Sequence, residues 1–234
     1  MRLKYLITGC GRSGTVYMAR LLTSVGIPCG HEAIFDQYGL DYARKRLSGE
    51  LPIQTSWVSR SVEKNGRRIE GEQWLYGEVQ AESSYMAAPF LGSDILTDTK
   101  IIHVIRDPVK VVNSFCNYLN YFGKGANDYE SFIYEYLPRL KESMPQYDRA
   151  ALYWIRWNEM VAADLVHRVE DGPQEVLGFL GVIGPCYNDE TANTFRKSSE
   201  RFAVSKIESD VIRDEFVAVG RRYGYPMASE YLLI

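Results

Sequence analysis

Tyr5-Leu6-Ile7-Thr8-Gly9-Cys10-Gly11-Arg12-Ser13-Gly14-Thr15 decides the fold of this 234-residue chain, because an apolar strand runs there into a glycine-rich loop carrying Arg, Ser and Thr. Beyond Thr15, Met18, Leu21, Leu22 and Val25 recur at i, i+3, i+4 and i+7, the apolar stripe of a helix. Strand, loop and helix in this order turn backbone N–H groups and the positive end of the helix dipole toward one point. The stretch predicts a cradle for a phosphate or sulfate group.

Two well-known loops compete for the same residues. Gly9, Gly14 and Thr15 fit the first half of G-x-x-x-x-G-K-[ST], but Thr15 stands where the lysine belongs and the nearby cation is Arg12. An ordinary ATPase or kinase is therefore disfavoured. Gly9, Gly11 and Gly14 also fit G-x-G-x-x-G, with Glu32 and Asp36 near the distance at which a dinucleotide fold places its ribose carboxylate. That carboxylate should follow a second apolar strand, whereas Gly26-Ile27-Pro28-Cys29-Gly30-His31 reads as a loop.

A second motif follows the β-branched run Lys100-Ile101-Ile102-His103-Val104-Ile105, which predicts a parallel strand buried on both faces. It ends in Arg106-Asp107-Pro108, and a helical pattern continues through Val109, Val112, Phe115, Cys116 and Leu119, with Ser114 on the way. Arg106 thus emerges at the carboxyl end of a strand, the edge where open α/β sheets bind ligands. Taken alone, Arg-Asp-Pro is equally a capped helix start with a salt bridge.

Together these residues resemble the sulfotransferases that use 3′-phosphoadenosine 5′-phosphosulfate. The family's 5′-phosphosulfate loop commonly reads Arg-Ser-Gly-Thr after a strand, as at Arg12 to Thr15, and its 3′-phosphate motif reads Arg-Asp-Pro with a serine eight residues after the arginine, as at Arg106 and Ser114. Leu165 to Asp171, followed by Leu177-Gly178-Phe179-Leu180-Gly181, is similar to the family's late strand and Phe-Leu-Gly helix. Arg196-Lys197-Ser198-Ser199 through Lys206 is faintly similar to its last nucleotide-contacting stretch. The resemblance implies a three-layer α/β fold, a parallel sheet of four or five strands flanked by helices, over a single domain spanning 1–234. It implies donor binding by Gly11, Arg12, Ser13, Gly14, Thr15, Arg106 and Ser114, with 3′,5′-bisphosphoadenosine as product. It also implies Glu32 as general base, since a glutamate in the corresponding place serves the tyrosylprotein branch. His31 and Glu82 remain open as alternatives, because histidine is the base in the cytosolic small-molecule branch.

Composition fits that expectation. Hydrophobic residues at 46% and charged residues at 24% are ordinary globular values. A net charge of −3 argues against a broad nucleic-acid surface. Cys10, Cys29, Cys116 and Cys186 are widely spaced and form no C-x-x-C, so they read as reduced thiols rather than zinc ligands or a disulfide framework. No carboxylate cluster suggests a metal. The first strand begins at Leu3, which leaves no room for a signal peptide, and no apolar run reaches membrane-spanning length, so the cytoplasm is the expected compartment. Nothing in the pattern speaks to oligomeric state.

The remaining segments are connective or core. Gly39 to Gly77 is expected to hold short helices and a hairpin, Val79 to Tyr85 a short strand with polar residues, and Asp210 to Tyr223 a last helix stopped by Gly224 and Pro226. Ala150 to Leu165 is expected to be a long amphipathic helix around Trp154 and Trp157. The tyrosines between Asn117 and Tyr147 suit packing between helices, or a sugar or phenol acceptor. His103 reads as a satisfied core histidine. A sulfotransferase acting on a hydroxyl is the expected activity. The alternatives are a dinucleotide-dependent oxidoreductase or other nucleotide-loop enzyme, and a catalytically silent nucleotide-binding module.

Overall fold

The computed structural model describes residues 2–64, 67–76, 79–123, 128–182 and 202–227. Strands β1 (Tyr5–Thr8), β2 (Cys29–His31), β5 (Ala81–Ser83), β6 (Lys100–Ile105) and β7 (Leu165–Arg168) form a parallel sheet in the order β2-β5-β1-β6-β7. Strands β3 (Gln54–Lys64) and β4 (Arg67–Tyr76) make the expected antiparallel hairpin.

Alternation along the strands builds the three layers. Leu6, Ile101 and Ile105 point to one face, where they pack with Val111 of α3 (Pro108–Asn113), Trp154 of α5 (Gln146–Glu159) and Phe216 of α7 (Asp210–Arg222). Ile7, Ile102 and Val104 point to the other, against Met18 and Leu22 of α1 (Thr15–Ser24) and Val176 of α6 (Gln174–Phe179). Each fully buried aliphatic side chain contributes about 1.5–3 kcal/mol by leaving water, so β1 and β6 anchor the fold from both sides.

Three expectations are corrected. Residues 26–31 are not all loop, since Cys29–His31 is a short edge strand paired with β5. Gly30 permits it, because a Cβ there would overlap the Glu82 carboxylate. The helix around Trp154 and Trp157 ends at Glu159, and Leu165 already opens β7. The helix after Arg106 keeps α-type bonding only to Asn113, and Ser114–Tyr118 continue as a π-turn in which the Leu119 N–H reaches the Ser114 carbonyl at 3.0 Å. Such turns recur at functional sites.

Strand order also bears on the dinucleotide alternative. In that fold the strand following the first helix lies directly beside the first strand. Here β5 stands between β1 and β2, so the order departs from it. Chain connections run to one side of β1 through β2 and β5, then cross to the other through β6 and β7, and the loop after β1 lies at this switch point. No described helix is long and apolar enough to cross a membrane.

Candidate active site

All five parallel strands deliver their carboxyl ends to one edge, and a cavity of about 610 Å³ opens there. Gly11, Arg12, Gly14 and Thr15 after β1, His31 at the end of β2 with Glu32 just beyond it, and Arg106 after β6 are among the residues that line it. Two motifs separated by more than ninety residues therefore meet, and they touch: Arg12 Nε donates to Ser114 Oγ at 3.1 Å, and Arg106 Nη1 donates to the Arg12 carbonyl at 3.3 Å.

The loop is held from behind. The amides of Cys10 and Gly11 donate to Asn158 Oδ1 and Tyr153 Oη, both at 3.1 Å, and Ser13 N–H closes on the Cys10 carbonyl at 3.2 Å. These amides are spent on shape, so the open first turn of α1 is what faces an anion. Gly14, at φ 101°, precedes that turn with no side-chain cap, and the turn carries no acidic residue. A Cβ on Gly11 would overlap the Tyr129 hydroxyl. Arg12 holds φ at 65°, the left-handed region that side chains avoid, which aims its guanidinium from a fixed backbone. Ser13 is wholly buried and its Oγ has no hydrogen-bond partner among the described residues. Ser13 and Ser114 lie behind the cavity wall rather than on it.

Asp107 and Pro108 take the helix-start role that the sequence allowed. Asp107 caps α3, its carboxylate accepting from Val109 N–H at 2.9 Å and Lys110 N–H at 3.4 Å, while Pro108 occupies the first turn. Arg106 is left to the cavity, buried with its proton affinity lowered by desolvation and by the neighbouring Arg12, against the pull of Glu170. An incoming anion would relieve that penalty.

Glu32 is the second non-glycine residue of the site in the left-handed region, with φ at 53°. Burial pushes its carboxyl up to about 7, Asp36 adds to the rise and Arg12 opposes it. His31 lies beside it, its Nε2 at 3.2 Å from Thr15 Oγ1 and 3.6 Å from Glu32 Oε1, and burial with Arg20 nearby lowers the ring to about 4. The imidazole is neutral near pH 7.

Glu82 is corrected as a base candidate. It is completely buried, does not line the cavity, and accepts through Oε1 from the amides of Ala33, Ile34 and Phe35 at 2.7, 2.9 and 3.4 Å. It fastens the turn that holds Glu32. Burial raises it to about 7, with the three amides opposing and Glu32 adding to the rise. Both carboxyls therefore bind protons more tightly folded than unfolded. Stability falls as pH rises from the ordinary carboxylate range through about 7, because the folded state holds more protons across that window. Thermal melts between pH 5 and 8 should show this decline, flatter in Glu82→Gln, which keeps the acceptor oxygen. Glu82→Ala strips three buried amides of their partner and should cost roughly 3 kcal/mol or more at any pH. An unchanged melting temperature would remove Glu82 from the supporting frame.

No protein-family model and no curated protein sequence matches the chain. Among solved structures, the chain is similar to a sulfotransferase from Alicyclobacillus acidocaldarius, at 16% identity over 95% of this chain and 93% of that one, with a TM-score of 0.41. That likeness is too distant to carry a function, and the chemistry rests on the cavity itself.

An aromatic wall completes the cavity, drawing Tyr121 and Tyr129 from the tyrosine-rich stretch and adding Tyr85. Tyr85, Tyr129 and Tyr121 stack in turn, with centroids 4.7 and 4.6 Å apart, and all three line the cavity. Trp157 Nε1–H fixes the Tyr85 carbonyl at 2.9 Å. Other tyrosines of that region pack instead: Tyr134 accepts from Arg149 at 2.8 Å, and Tyr147 donates to Asn117 at 2.8 Å. His103 is a core residue, its Nε2 3.0 Å from Asn158 Oδ1. Cys10, Cys29 and Cys116 are free and buried, and burial raises each thiol. Cys186 and Arg196 to Ser199 lie outside the described residues.

Proposed function

We propose that this chain, as one domain over residues 1–234, is a sulfotransferase that moves a sulfuryl group from 3′-phosphoadenosine 5′-phosphosulfate to a hydroxyl acceptor. The observation that carries this is the meeting of Arg12, Arg106 and Glu32 at one cavity, with two cationic groups and a carboxyl poised near neutral pH. Arg12, Thr15 and the first turn of α1, with Gly11, Ser13 and Gly14 shaping the loop, hold the 5′-phosphosulfate. Arg106 takes the 3′-phosphate, and Ser114, behind the wall, serves that site by steadying Arg12.

Sulfuryl transfer moves a charged group between two roughly in-line oxygens, so positioning and charge stabilisation dominate. Glu32 takes the acceptor proton as the acceptor oxygen bonds to sulfur. The bond from sulfur to the bridging oxygen breaks, and its electron pair leaves on the 5′-phosphate of 3′,5′-bisphosphoadenosine, where Arg12 and the helix dipole meet the new charge. The stacked tyrosines leave room beside Glu32 for a hydroxyl-bearing acceptor.

Arg106→Ala tests the donor assignment. A charge-assisted hydrogen bond is worth about 1.5–3 kcal/mol, so affinity for 3′,5′-bisphosphoadenosine should fall roughly tenfold to more than a hundredfold. Affinity for 5′-AMP should hardly change. Equal losses for both ligands in calorimetry would mean that Arg106 supports the loop through the Arg12 carbonyl and does not read a 3′-phosphate.

A further inference from the structure

Thr15 and Glu32 both approach His31 Nε2 on the cavity wall. His31 Nε2 is 3.2 Å from Thr15 Oγ1, a hydrogen bond, and 3.6 Å from Glu32 Oε1, an ion-pair distance. A single ring nitrogen can accept a hydrogen bond or carry a proton and donate one, but not both. With the loop empty, the Thr15 hydroxyl can donate to Nε2. An anion in the loop engages that hydroxyl as a donor, which leaves Nε2 without a proton to accept from Thr15, and Nε2 can then carry a proton of its own facing Glu32 Oε1.

On the sulfuryl-transfer assignment above, we propose that His31 is a positioning residue coupling the phosphate loop to the base: donor binding at Thr15 turns Nε2 from acceptor to N–H donor, presented to the Glu32 carboxylate. One proton reaches Nε2 from solvent as one leaves Nδ1, so the ring stays neutral. The side chain is 18% exposed, which lets water carry the exchange. The consequence is electrostatic. A bound donor brings negative charge that would favour a protonated Glu32, and Nε2–H opposes it by holding the carboxylate. The other groups facing Glu32 are Asp36 on its own turn, Arg12 from the loop, Glu82 from β5, and Tyr85, Tyr121 and Tyr129 from the aromatic wall. Of these only Arg12 favours the carboxylate, and the donor's phosphate competes for it. Burial, aided by Arg20 facing His31 from α1, keeps the ring from charging.

The chain has three histidines, so nitrogen NMR of the full-length protein labelled with 15N-histidine reads each tautomer directly, with His31→Gln identifying the His31 signals. Saturating 3′,5′-bisphosphoadenosine should move the His31 Nε2 resonance from the unprotonated toward the protonated position. Under saturating donor and acceptor, His31→Ala should shift the rising limb of the kcat–pH profile about one unit alkaline. At pH 7 its kcat should fall about fivefold while bisphosphoadenosine affinity stays within a few fold. His31→Gln, which keeps an N–H donor, should restore most of the profile. An Nε2 resonance that is the same with and without ligand, or a His31→Ala profile that does not move, overturns the coupling. If the wild-type protein binds no bisphosphoadenosine by calorimetry, the donor assignment fails and the coupling with it, a result distinct from binding without a tautomer change.

Discussion

Glu32→Gln should lower turnover by about 10²–10⁴ while leaving affinity for 3′,5′-bisphosphoadenosine within a few fold, because glutamine keeps the size and hydrogen-bonding reach of the side chain and loses only its basicity. The site is built for that distinction. Glu32 sits on a left-handed turn pinned by Glu82, so an isosteric change leaves the backbone undisturbed. Its carboxyl is raised to about 7, chiefly by burial, and only the deprotonated form can accept a proton. In the wild-type enzyme kcat/KM should accordingly rise with pH through about 7, and Glu32→Gln should lose that limb. Single-turnover rates beside calorimetry decide the matter. Near-normal chemistry in Glu32→Gln would pass the role to His31, the other titratable group beside it on the cavity wall.

Arg12→Ala should lose both donor affinity and turnover, the latter by about 10²–10³, the range seen when one preorganised donor to a developing charge is removed. Arg12→Lys should keep part of each. Lysine supplies the charge, but a point ammonium cannot both meet a phosphate and hold Ser114 through a planar fork as Arg12 Nε does at 3.1 Å. Steady-state kinetics on the two variants, with donor affinity measured separately, check this. An Arg12→Ala enzyme that turns over normally would show that the loop has another purpose.

The parts of this site that were legible in the sequence are local ones. Residues 5–15 and 100–114 each announce a strand, a polar loop and a helix within one short window, which places Arg12 and Arg106 at strand ends, while the fold class and the joining of the two motifs at one site came from the family resemblance. What escaped depends on partners distant in sequence. Strand β2 hides because Pro28 and Gly30 look like loop chemistry, and it exists only through pairing with β5. Glu82 looked like a possible base because nothing local reveals that its carboxylate caps amides nearly fifty residues away. The wall of Tyr85, Tyr129 and Tyr121 likewise draws on separate segments, although the tyrosine-rich stretch after Asn117 hinted at it. Hydrogen bonding in the helix after Arg106 changes at Ser114 with no break in its apolar periodicity, so the π-turn left no trace in the pattern.

Calorimetric titration of the wild-type chain with 3′,5′-bisphosphoadenosine, run beside ATP and NAD, tests the central claim most directly. Two phosphates on one nucleoside, met by Arg12 after β1 and Arg106 after β6, should bind at least tenfold more tightly than either comparison ligand. Equal or tighter binding of ATP or NAD, or no heat with the bisphosphate, would contradict it.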